Sequence, residues 1–288
     1  MKHLTDAGVR VYALSYDEAD ALRDFQQAYG MTYKLLSDPD SVVIRQFGIL
    51  NTLIAEDDHP WFGIPYPGTY VLDAGGVITH KFFENNLAVR VGPEQLLRAV
   101  RGESVVVEAV EPIEPGKVAT RIYLEGDTLA VSVQRDLVAD LAVPPGRHVY
   151  ASPAPEGTVA VTLELDANPR IVKRELIRPP SESHSLGASG EVFQVHHDRV
   201  QLRLPVTVNG RLTVDDDNHA VTLSGILKWQ TCDDEVCDIP ASERFEISIP
   251  VEGSIMPSFM GKSDQKSPEP NAGKHFQRMM ERREESGA

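Results

Sequence analysis

The chain has 288 residues, 41% of them hydrophobic, and single cores usually stop growing by roughly 250 residues, so two domains are the starting expectation. Its 28 basic against 43 acidic residues give a formal charge of -15, which repels phosphate backbones and anionic lipid surfaces and argues against nucleic acid as a partner. No stretch approaches the roughly 18 consecutive apolar residues of a membrane helix, and Met1 to Asp6 lacks the apolar centre of a signal peptide.

The first hundred residues alternate strand-like and helix-like segments, the pattern of strands joined by covering helices. Val9 to Leu14 reads as a buried strand, and Ala21, Leu22, Phe25 and Tyr29 then recur at helical spacing before Gly30. Thr32 to Leu36 makes a short strand. Ser37-Asp38-Pro39-Asp40 turns the chain into a second apolar helical face at Val42, Val43, Ile44 and Phe47, closed by Gly48. Thr69 to Leu72, the turn Asp73-Ala74-Gly75-Gly76 and Val77 to Phe83 read as a β-hairpin. A helix from Pro93 to Val100 ends at Gly102.

Glutamates, Pro112, Pro115 and Gly116 then mark residues 103–126 as an exposed linker, which places the domain boundary there and assigns 1–102 to the first domain. From 127 to 252 the chain offers short alternating runs with Pro, Gly and Asp punctuation: Val159 to Leu165, Glu191 to Val195, Val200 to Val208, Ala220 to Trp229 and Phe245 to Val251. Helical periodicity is weak there, so an antiparallel β-sandwich of the immunoglobulin-like kind is expected. Residues 253–288 are polar and expected to be largely disordered, with a short charged helix at His275 to Glu285.

Two cysteines are too few for a disulfide scaffold, yet both lie in WQTCDDEVC. With four residues between them, Cys232 and Cys237 can flank a tight turn at a separation a disulfide tolerates. So small a loop removes little unfolded-state entropy, so a stability role is poorly served. Asp233, Asp234 and Glu235 disfavour thiolate, which suits an electron acceptor whose disulfide is attacked better than a spontaneous nucleophile. A structural bridge, half a metal site and two reduced buried thiols remain open. The nine histidines are scattered and show no third ligand by spacing, and adjacent His196 and His197 would point to opposite faces of a strand, so no metal or cofactor is expected.

The run GVRVYALSYDEADALRDFQQAYGMTYKLLSDPDSVVIRQFGILN, followed by GIPYPGTYVLDAGGVITH, resembles the peroxiredoxin (AhpC/TSA, redoxin) family over residues 4–101. The resemblance implies a thioredoxin-like α/β fold and gives Pro67 the place of a proline that is typically cis and faces the reactive cysteine; Pro65 competes for that place. In the family a first strand leads to a helix whose N-terminus carries the nucleophilic cysteine, because helix-end amides favour thiolate. Neither that strand nor a cysteine precedes Cys232 here. The missing strand would lie centrally, between the strands at Val9 to Leu14 and Thr69 to Leu72. Buried unpaired backbone groups cost about 1 to 3 kcal/mol each, so the biological start is expected upstream of Met1, with the strand, a cysteine motif and a signal peptide.

From Asp127 to Val251 the chain resembles the N-terminal, immunoglobulin-like domain of the thiol:disulfide interchange protein DsbD. His148-Val149-Tyr150, Gly190-Glu191-Val192-Phe193, Leu204-Pro205-Val206 and above all LSGILKWQTCDDEVCDIP carry the likeness. The resemblance implies a catalytic Cys232/Cys237 pair exchanging electrons with thiol or disulfide proteins of the redoxin and thioredoxin kind in the periplasm. It implies a shielding cap loop at Ser181 to Gly190, where this sequence has no aromatic, and Tyr150, Phe193 and Trp229 are candidates to flank the site. The expected function is thiol-disulfide oxidoreduction, with the redoxin domain's own cysteine absent from this chain. The alternative is a non-catalytic binding or scaffold module held by a structural disulfide. Peroxide reduction would depend on residues this chain lacks, and the absence of a leader read literally would mean cytoplasm.

Overall fold

The computed structural model describes residues 2–54, 62–83, 89–102, 110, 116–186, 191–209 and 220–252. Most of the linker and all of 253–288, including the short charged helix expected there, lie outside the described residues. Two compact units form, one containing Met1–Leu87 and the other Ala88–Ser254.

In the first unit, α1 (Lys2–Asp6) precedes β1 (Tyr12–Ser15), α2 (Ala19–Ala28), β2 (Lys34–Ser37), α3 (Val42–Gln46), β3 (Gly68–Leu72) and β4 (Ile78–Phe83). Leu4, Leu22 and Ile44 form its buried apolar positions. The SDPD turn works through Asp38: its two carboxylate oxygens accept from the Val42 and Ile44 amides at 2.9 and 2.8 Å, satisfying donors that the start of α3 would leave orphaned. The expected hairpin forms, with Asp73 Oδ1 accepting from both Gly75 and Val77 amides at 2.9 Å across its turn. β1 pairs in parallel with β2, and β3 pairs antiparallel with β4, but among the described residues the two ladders do not join. Tyr12, Leu36 and Leu72 are left exposed.

The second unit opens with α4 (Pro93–Arg101) and continues through β5 (Ala119–Leu124), β6 (Leu129–Ala130), β7 (Arg135–Ala142), β8 (His148–Tyr150), β9 (Thr162–Leu165), β10 (Ile171–Lys173), β11 (Glu182–Leu186), β12 (Glu191–His196), β13 (Arg199–Val208), β14 (Ala220–Trp229), β15 (Thr231–Cys232) and β16 (Ala241–Glu252). Among the described residues three four-stranded sheets result, in the orders β10-β13-β7-β5, β11-β12-β8-β15 and β6-β16-β14-β9. The first and third face each other across one core in which Leu137, Ala139 and Leu141 of β7 meet Leu202, Leu204, Leu223 and Leu227. β14 shows why: Val221, Leu223 and Leu227 are buried while Thr222 is exposed, the period-2 alternation that commits one face to the interior.

Gly225 on β14 sits where a Cβ would come within 2.2 Å of the Glu164 carbonyl and 2.7 Å of the Phe245 ring. Gly225→Ala is therefore expected to destabilise by about 1–3 kcal/mol, read as a lower urea midpoint at unchanged slope, because the backbone of β9 cannot retreat without breaking its ladder.

Two features depart from the sequence expectation. Helix α4, which closes the expected first domain, lies in the second unit, and β5 lies inside the expected linker, paired along its length with β7. The cause is a buried ionic network. Arg98 donates to Glu125 at 2.5 Å and to Asp136 at 2.6 Å; Gln95 Nε2 donates to Asp136 at 2.8 Å; Arg203 donates to Glu125 at 2.5 Å, and Glu94 pairs with Arg135. Besides the Gln95 Oε1 bond to the Gly92 amide, these polar side chains on α4 find their partners on the sandwich among the described residues.

Candidate redox site

The second sheet carries Cys232 on β15, and Cys237 meets it through an isolated bridge across the following turn. Asp233 shapes their loop: its Oδ1 accepts from the Glu235 and Val236 amides at 2.9 and 2.8 Å, and its own amide donates to the Val236 carbonyl at 3.0 Å. These amide bonds, helped by Arg147 and His148 nearby, hold the Asp233 carboxyl below its usual range. Gln230 ties the loop base down by donating to the Asp238 carbonyl at 2.9 Å while accepting from the Val159 amide at 2.9 Å. Arg147 pairs with Asp238 at 2.8 Å and lies 3.9 Å from Asp233.

On this turn Cys232 and Cys237 are joined as a disulfide with Cα atoms 4.0 Å apart. The two halves differ in environment: Cys232 is 0% exposed, while Cys237 is exposed. An open groove of about 300 Å³ runs beside Cys237, lined by Tyr150, Phe193, Glu191, Asp234 and Val236 among others. Tyr150, Val195 and Cys232 form a small apolar cluster of their own, with Phe193 packed against it and its ring 6.2 Å from that of Tyr150.

Trp229, in contrast, packs against the main sandwich core. Pro67 precedes β3 in the first unit and its peptide bond is trans, so the cis form implied by the family resemblance is absent; the one cis bond among the described residues is Ser152–Pro153. Trans is favoured by about 0.5–1 kcal/mol wherever packing does not impose the other isomer. Pro65 forms an isolated bridge with Leu50.

Sequence reasoning missed the histidines. His148, His184 and His197 come together with ring centroids 4.6, 5.8 and 6.0 Å apart, His148 from β8 meeting two histidines of the β11–β12 hairpin region more than thirty residues on. His148 is the Cα partner of Cys232, and His184 that of Phe193. His184 stands on β11, within the segment expected to cap the site, and its Nε2 lies 3.1 Å from Asp234 Oδ1; residues 187–190 of that segment lie outside the described residues. The available signal was the period-2 spacing of His148 and Tyr150, which sets both on one face. Among the described residues no group of His, Cys, Asp and Glu is arranged to hold a metal ion.

Burial, reinforced by His184 and His197 and opposed by Asp234 and Asp233, lowers the His148 pKa to about 4. The unfolded imidazole titrates near about 6.5, so between these values the unfolded chain binds a proton that the fold excludes. This contribution is present above about 6.5 and is lost as pH falls toward 4. Urea unfolding is expected to show about 2 kcal/mol lost from this group between about pH 7 and pH 4.5, and His148→Gln to show a correspondingly shallower fall.

Residues 1–81 match the AhpC/TSA family, and residues 124–249 match the N-terminal domain of the thiol:disulfide interchange protein DsbD. Peroxiredoxin bcp of Coxiella burnetii is 36% identical over 80 residues, which make up 26% of this chain and 49% of that protein, so the chain spans about half the length of this curated relative. Among solved structures, the reduced DsbD N-terminal domain of Neisseria meningitidis aligns at 15% identity and TM-score 0.31, covering 46% of this chain and 85% of that one. The N-terminal periplasmic domain of ScsB from Proteus mirabilis aligns at 16% identity and TM-score 0.32, covering 49% of each chain. No helix among the described residues is long and apolar enough to cross a membrane. The chain thus joins a thioredoxin-like segment that matches the AhpC/TSA family model to a β-sandwich that matches the DsbD N-terminal model.

Proposed function

We propose that this chain is a thiol-disulfide oxidoreductase whose Cys232–Cys237 disulfide accepts electrons from dithiol proteins, with Cys237 as the sulfur attacked. The observation that carries the reading is the asymmetry of the pair, one sulfur buried among Tyr150 and Val195 and the other exposed beside an open groove. Exchange requires an incoming thiolate in line with the bond, and only the exposed end offers that approach. The partners are thioredoxin-fold thiol proteins, and an oxidising, periplasmic compartment suits a pair that rests as a disulfide.

The AhpC/TSA segment contains no cysteine, so in this chain it cannot turn over a thiol itself. We place the domain boundary near Ala88 rather than at 103, because α4 is bound to the sandwich by its ionic network.

Incubating the oxidised chain with a reduced thioredoxin-fold protein and counting free thiols by alkylation gel shift tests this. The reading expects two thiols to appear on this chain within minutes; a disulfide that survives while glutathione and thioredoxin-fold donors are both in excess would contradict it.

A further inference from the structure

Opening the disulfide from its exposed end leaves charge on the other sulfur. The partner thiolate gives its electron pair to Cys237 Sγ, the bond to Cys232 breaks, and its pair departs on Cys232 Sγ. A second thiolate of the partner then displaces Cys237, so the partner is oxidised to a disulfide and this chain gains two electrons and, in all, two protons. The Cys232 sulfur receives its charge at a position 0% exposed, where an uncompensated anion is strongly disfavoured.

The fold puts one candidate group beside it. Cys232 and His148 are directly opposed on antiparallel strands β15 and β8, and directly opposed side chains share one face with Cβ atoms about 4.5–5.5 Å apart. The face is confirmed from both sides: Cys232 packs with Tyr150, and the His148 ring lies 5.4 Å from the Tyr150 ring. His148 is 1% exposed, and its Nε2 is one of several buried side-chain atoms with no hydrogen-bond partner among the described residues, so it is available to pair with the sulfur. Behind it, His184 on β11 keeps 20% of its side chain exposed and reaches Asp234, and His197, following β12, gives its Nδ1–H to the Arg147 carbonyl at 3.2 Å. The ionisable groups around His148 are therefore His184, His197, Asp233, Asp234, Tyr150 and Cys232.

We propose that His148 is the counter-group of the Cys232 sulfur: when the disulfide opens, its imidazole takes up a solvent proton relayed past His184 and pairs with the Cys232 thiolate. The arrangement couples reduction to proton uptake at one residue. In the disulfide form burial, with His184 and His197 alongside, outweighs Asp234 and Asp233 and keeps the ring neutral; in the reduced form the sulfur adds a further opposite charge on the same face, which favours imidazolium.

This rests on the pair being redox-active, but its test uses chemical reduction and needs no partner protein. Imidazole NMR of the full chain, recorded across pH with and without dithiothreitol, should show His148 titrating higher by at least about one unit in the reduced form. In Cys237→Ser, where Cys232 is the sole thiol, ultraviolet thiolate absorbance should show the Cys232 pKa rising by about one unit on adding His148→Gln, a tenfold loss of thiolate at a given pH. A His148 titration that does not move on reduction overturns the proposal, and being read on the unsubstituted chain it holds even if His148→Gln fails to fold. A chain that exchanges with no protein yet shows the shift would defeat the proposed function and leave this inference standing.

Discussion

Cys232→Ala is expected to accumulate a mixed disulfide through Cys237 with a thioredoxin-fold protein that retains only its nucleophilic cysteine, at least about tenfold more than Cys237→Ala under the same mild oxidation. The difference follows from placement. In Cys232→Ala the remaining sulfur is exposed at a turn, next to a groove lined by Val236, a residue itself 62% exposed. In Cys237→Ala the remaining sulfur is enclosed by Tyr150 and Val195 with Phe193 over them, and a partner would have to open the second sheet to reach it. Non-reducing gels read the adduct directly. Equal trapping by the two variants would mean that the second sheet opens readily and that burial does not select the sulfur.

Asp136→Ala is expected to cost about 3–5 kcal/mol of stability, read by urea unfolding. Asp136 is 0% exposed and receives Gln95 at 2.8 Å and Arg98 at 2.6 Å, with Arg203 at 3.8 Å. Its removal leaves two guanidinium groups sharing Glu125, which is 3% exposed and already bonded to both. An uncompensated buried cation follows, and α4 loses two of its anchors. The exposed Lys228–Glu164 pair on the opposite sheet has the same ionic chemistry at 2.9 Å. Lys228→Ala should cost no more than about 1 kcal/mol, because solvent screens that pair.

The sandwich strands were legible because their signal is local. Val221, Leu223 and Leu227 alternate with polar neighbours, and the same pattern recurs in the Val159 to Leu165 and Phe245 to Val251 runs. The cysteine pair was legible because its spacing carries its own geometry, and Asp233 at the start of the turn is a residue that builds such turns. The place of α4 was not legible: its amphipathic pattern shows that it buries a face, but not which unit receives it, and that choice rests on Asp136 and Glu125 some thirty to forty residues away. β5 was hidden for a related reason, since Pro112, Pro115 and Gly116 just before it mark a connection while its own ATRIYL is a strand. Trp229 and Phe193 looked equivalent as flanking aromatics, and only the assignment of strands to sheets separates them, one into the main core and one beside Cys232. The histidine group is the extreme case, because residues 148, 184 and 197 meet only through the β11-β12-β8 order.

The reduction potential of the Cys232–Cys237 couple, equilibrated against thioredoxin and glutathione buffers, tests the central claim most directly. An exchange site should fall between about -270 and -180 mV, the range of proteins that pass electrons on, whereas a value below about -300 mV would mark the bond as a structural clasp and contradict the account.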